Sequence, residues 1–107
     1  MQRKLRFTPT AAGVLKELEN NPAFASILRQ VRKTLGYLET NPRHNSLQTH
    51  KHIALSMRYK KEIFEAYAQQ NTSAAYRVFW RYEDDEKDNK ENRIPVITVI
   101  AITPHPD

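Results

Sequence analysis

Residues 94–103 read Ile-Pro-Val-Ile-Thr-Val-Ile-Ala-Ile-Thr, β-branched at every position except Pro95 and Ala101. Such side chains lose rotamer freedom in a helix and pack well on a pleated surface, so the run predicts a strand. It shows no alternation with charged residues, the pattern of a central strand with neighbours on both edges and cover on both faces. The rest of the chain must then supply the other strands of a sheet and a layer to lie on it. Its apolar stretch, 96–102, is far shorter than the roughly 20 residues needed to cross a bilayer.

Three other segments have a period of two. In residues 3–7, Lys4 and Arg6 alternate with Leu5 and Phe7, which predicts an edge or near-edge strand. Over 62–68, Ile63, Glu65 and Tyr67 alternate with Phe64, Ala66 and Ala68, before a polar turn at 69–73. Residues 75–82 follow, with Tyr76, Val78, Trp80 and Tyr82 on one face and Arg77, Phe79 and Arg81 on the other, so the two runs read as a β-hairpin. Residues 83–93 contain no apolar side chain and are expected to form a charged, solvated loop.

Between the first and second strands the period is helical. Thr8 and Pro9 are suited to the N-cap and first position of a helix whose apolar side chains are Ala11, Val14, Leu15 and Leu18. Asn21 and Pro22 start a second helix with the stripe Phe24, Ile27, Leu28, Val31, Leu35 and Leu38, and with Arg29, Arg32 and Lys33 opposite. Asn41-Pro42 ends it. Helices joined this tightly predict an αα-hairpin with both stripes on the sheet. Residues 43–61 have no clean periodicity. The expected fold class is α+β: a small, antiparallel-dominated sheet in the order β-α-α-β-β-β, with the N-terminal αα-hairpin on one face and the other face partly open. At 107 residues the chain is one domain, 1–107.

Charge and missing residue types narrow the function. The net charge is +5, yet residues 1–61 carry +9 and residues 62–107 carry −4. This asymmetry is the footprint of a polyanion, RNA or DNA rather than a membrane, or more plainly of solvated helix faces. Having no cysteine excludes thiol catalysis, thiolate zinc sites and disulfides, and fits a cytoplasmic location. No apolar stretch of signal-peptide type follows Met1-Gln2-Arg3-Lys4. Two glycines are too few for a phosphate-cradling loop, which removes nucleotide hydrolysis and dinucleotide redox chemistry. His50 and His52 flank Lys51 in basic surroundings with no carboxylate close in sequence, so neither a metal nor any other cofactor is expected. Metal-free chemistry on an RNA phosphate, or plain binding, remains.

Candidate residues follow from position. Arg77 and Arg81, with Phe79 between them, would form a basic ridge about 13 Å long by strand rise, the span of roughly two nucleotides. The alternative is that they lie on a solvent face and pair with Glu65. His105, between Pro104 and Pro106, directly follows the last strand, where a proton donor would be aimed by the sheet; the alternative is a solvated C-terminal histidine. Arg43, His50, Lys51, His52, Lys60 and Lys61 make the segment before the hairpin the most basic, a candidate RNA contact together with Arg81.

The order β-α-α-β-β-β, that basic segment, the run Ala75-Tyr76-Arg77-Val78-Phe79-Trp80 and the closing strand 96–102 together resemble the RelE/ParE toxin superfamily, the toxin half of bacterial toxin–antitoxin pairs. The likeness covers nearly the whole chain. For the RelE branch it implies a ribosome-dependent mRNA endonuclease that needs no metal. A ribose 2′-OH attacks the adjacent phosphate, leaving a 2′,3′-cyclic phosphate and a 5′-OH. The resemblance makes Arg77 the group that neutralises phosphorane charge. It makes His105 the acid for the leaving oxygen, as in the YoeB-like members. Glu65 is the candidate base, with Lys51, His50 and His52 as alternatives. Two departures stand out: Pro106 occupies the place of a base-stacking tyrosine, and Glu65 and Tyr67 stand where RelE-like members carry lysines. The implied partners are a cognate antitoxin, the 70S ribosome and mRNA. The alternatives are a ParE-like toxin that binds and poisons DNA gyrase, and an inactive toxin-like RNA-binding domain.

Overall fold

The computed structural model describes residues 2–104. In chain order the elements are β1 (Lys4–Phe7), α1 (Pro9–Asn20), α2 (Ala25–Thr40), β2 (His50–Lys51), α3 (Ile53–Tyr59), β3 (Phe64–Tyr67), β4 (Tyr76–Lys87) and β5 (Arg93–Pro104). The strands form one sheet ordered β1-β5-β4-β3-β2. β1 runs parallel to β5, and every other pairing is antiparallel. The fold is α+β, β1 is an edge strand and β5 is interior, as its sequence requires. Among the described residues no helix is long and apolar enough to cross a membrane.

Both helical stripes lie on one face of the sheet. Ala11, Leu18, Val31, Leu35 and Leu38 share a buried cluster with Ala66, Val78, Trp80, Ile97, Val99 and Ile102. Residues 97, 99 and 102 cannot share a face of a regular strand. Opposite β4, however, Phe79 pairs with Ala101 and Trp80 with Val99, so Ile100 is an extra residue that reverses the alternation. Thr8 holds this bulge: its N–H donates to Val99 O at 3.1 Å and its hydroxyl donates to Ile100 O at 2.7 Å. The Thr8 hydroxyl oxygen in turn accepts from Ala11 N at 3.2 Å, capping α1. One threonine thus joins the start of the helical layer to the kink in the sheet.

Two stretches depart from expectation. The charged segment 83–93 is mostly strand, because β4 runs to Lys87 and β5 starts at Arg93; only 88–92 form the turn, where the Asp88 carboxylate accepts from Lys90 N and Asn92 N at 2.8 and 2.9 Å. A ribbon wetted on both faces can pair its backbone without apolar alternation. Asp84 and Asp85 lie opposite Pro95, which has no N–H to offer the ladder, and the register shifts there. Residues 43–61 hold a two-residue edge strand and the short helix α3, whose Ser56 Oγ accepts from Ile63 N at 2.8 Å.

The face of β5 turned from the helices is covered by ion pairs rather than by another layer. Lys4 and Arg6 on β1 reach across β5 to Glu86 on β4, Lys4 Nζ at 3.2 Å and Arg6 Nε at 2.6 Å. Val96 and Thr98 beneath them are buried.

Candidate active site

Register brings the chemistry together. His50 of β2 pairs with Glu65 of β3, which pairs with Phe79 of β4; next along, Tyr67 pairs with Arg77, which pairs with Thr103 of β5. Paired residues share a face, and these lie on the face turned from α1 and α2.

Glu65 is the hub. It is 3% exposed, its Oε1 lies 2.6 Å from His50 Nε2, and its Oε2 accepts from Arg77. Arg77 is nearly buried, with its guanidinium carbon 4.9 Å from the centre of the Phe79 ring. Its Nε is buried without a hydrogen-bond partner, so the ring's electron-rich face partly compensates that donor. His50 is half-exposed and tilts against Tyr67, ring centres 6.0 Å apart. Gln48, in the left-handed region at φ 47°, turns the chain into β2. A groove of about 470 Å³ lined by Gln48, Tyr67, Gln69, Gln70, Asn71 and Thr72 opens beside this cluster.

The other candidates are dispersed. His52 serves the local structure, since its Nδ1 accepts from Leu55 N at 3.2 Å, capping α3, and its ring meets Phe79 edge-on at 5.6 Å. Lys51 pairs with Glu62 at 3.6 Å, while Lys60 and Lys61 are exposed just beyond α3. Arg43 is exposed in the turn after α2. Arg81 shares the face of Arg77 but is paired with Glu83, and that hydrogen bond is the main reason the Glu83 carboxyl sits below its ordinary pKa. Arg77 and Arg81 therefore form no ridge of free positive charge: each is neutralised by a glutamate, and Arg77 pairs with Glu65, the alternative that the sequence left open. His105 lies outside the described residues.

Two consequences follow. Glu65 is a poor direct contact for a substrate, because both oxygens are engaged and almost none of its surface is open. The half-exposed His50 is the member of the cluster that faces solvent. Tyr67 and Phe79, which border the two charged groups, are visible in sequence only as members of alternating strands. Nor does the sequence signal that His50 meets Glu65, since β2 is two residues long and has no periodicity to read. Among the described residues, no group of three or more histidine or acidic side chains is placed to hold a metal. No family model, curated protein or solved structure matches the chain.

Proposed function

We propose that the chain is a RelE-like toxin: a ribosome-dependent, metal-independent endoribonuclease that cuts mRNA by 2′-OH attack and stops translation in the cytoplasm. The observation that carries this reading is the His50–Glu65–Arg77 cluster on the sheet face turned from α1 and α2, beside a groove. A phosphate entering there would meet a rigid guanidinium, oriented by a buried carboxylate, as charge builds on its non-bridging oxygens. His105 stands two residues along the chain from Thr103, the β5 partner of Arg77, and is the proposed acid for the leaving 5′ oxygen. The exposed lysines 51, 60 and 61 would grip the RNA backbone, and a cognate antitoxin would restrain the toxin.

Induced expression followed by primer extension on cellular mRNA tests this. Wild type should leave codon-spaced cuts with 5′-OH ends. His105→Ala and Arg77→Lys, which keeps the positive charge beside Glu65 but not the planar fork, should each slow cutting by ~10²- to 10³-fold. The neutralised Arg77 favours a second reading, a ParE-like toxin that binds without cutting, and growth arrest with intact mRNA and damaged DNA would replace the first with it.

A further inference from the structure

We infer that His50 is the general base of this site and that Glu65 is its positioning residue; the inference rests on the RNA-cleaving reading above. Exposure separates the two groups. The Glu65 side chain is 3% exposed and that of His50 49%, so a ribose hydroxyl can approach the imidazole but not the carboxylate. The contact constrains the tautomer: a ring nitrogen 2.6 Å from a carboxylate oxygen must carry a hydrogen, so in the neutral ring Nε2 is protonated and the lone pair is on Nδ1. That nitrogen lies 3.4 Å from Gln48 O, too far for a good hydrogen bond, and in the neutral ring both atoms are acceptors. Once Nδ1 takes a proton the relation becomes attractive, and both N–H groups of the imidazolium face an oxygen.

The neighbours of His50 fit the role. Glu65 carries the negative charge nearest the ring, Arg77 occupies the carboxylate's other oxygen, and Tyr67 flanks the imidazole. Lys51, next in sequence, is paired with Glu62. His52 is not equivalent, because its Nδ1 already accepts from Leu55 N.

The 2′-OH proton passes to His50 Nδ1 as the 2′ oxygen forms its bond to phosphorus. The phosphorus–O5′ bond breaks, its electron pair stays on O5′, and that oxygen takes a proton from the acid proposed above, His105, to complete the 5′-OH. Nothing is oxidised or reduced.

The test is single-turnover cleavage of mRNA on programmed ribosomes by wild type, His50→Gln, Glu65→Gln and the double variant, with folding checked by circular dichroism. His50→Gln should lower the saturating rate by ~10²- to 10⁴-fold and leave the half-saturating ribosome concentration within about twofold. Glu65→Gln should lose less, and the double variant should be no slower than His50→Gln, because Glu65 acts through the histidine. A His50→Gln rate within about threefold of wild type, or additive losses in the double variant, overturns the assignment while leaving the nuclease reading intact. A folded wild type that cuts no message removes both.

Discussion

Replacing Arg77 with alanine should damage the fold before it reports on chemistry. Glu65 is 3% exposed, and among the described residues Arg77 supplies its only full positive charge at hydrogen-bond distance. Breaking a buried ion pair from one side costs about 3–5 kcal/mol, because the remaining charge stays desolvated. His50 still donates to the other carboxylate oxygen, which places this case near the lower end, at about 3 kcal/mol. Loss of the guanidinium from the Phe79 face adds roughly 0.5–1 kcal/mol. For a chain of this size the sum lowers the melting temperature by on the order of 15 °C. Adding Glu65→Gln to Arg77→Ala removes the stranded charge and should restore about 2 kcal/mol, which a double-mutant cycle reads as coupling. Urea denaturation followed by circular dichroism measures all four proteins. A loss below about 1 kcal/mol in Arg77→Ala, or a double variant no more stable than that single one, would refute the reasoning and mean that solvent reaches Glu65 freely.

Thr8→Ala should cost about 1–2 kcal/mol in the same assay, more than an ordinary cap, because the hydroxyl also donates to Ile100 O at the bulge; a cost under about 0.5 kcal/mol would show that the bulge holds without it. Acid should weaken the fold through three carboxylates held below their ordinary values: Glu86 by hydrogen bonds from Arg6 and Lys4, Glu83 by Arg81, and Asp88 by the backbone N–H groups of Asn92 and Lys90. Their contribution is complete above the unfolded values of 4.5 for glutamate and 3.8 for aspartate, and is lost as pH falls through the lower folded ones. The melting temperature should drop as pH falls below about 4.5, and an unchanged value down to pH 3 would contradict these pairings.

Much of the fold is legible in the sequence because it rests on short-range rules. The Thr8-Pro9 cap, the α2 stripe and the unbroken β-branched run each signal their element within a few residues. Residues 83–93 differ from the expected loop for a physical reason: backbone pairing in a wetted ribbon is indifferent to side-chain polarity, so a charged strand and a charged loop look alike. Residues 43–61 are opaque because a two-residue strand has no period to read and α3 turns its apolar Ile53 and Met57 to solvent, so its apolar positions mark no buried stripe. Arg77 stands out by its place in a strand, but nothing local indicates whether it is free or paired.

The sequence by itself determined that this chain builds one interior apolar strand, covers the sheet on one side with a helical hairpin, and concentrates positive charge in its first 61 residues. Only the tertiary structure decided what the charged residues do. His50 and Glu65 are separated in sequence by α3, and Glu65 and Arg77 by a turn; strand register alone puts them in contact. Burial then divides their roles: the same carboxylate that would be an open base on a solvent face becomes a shielded anchor that fixes an arginine on one side and a histidine on the other. Register and desolvation are properties of the assembled sheet, and no window of sequence contains them.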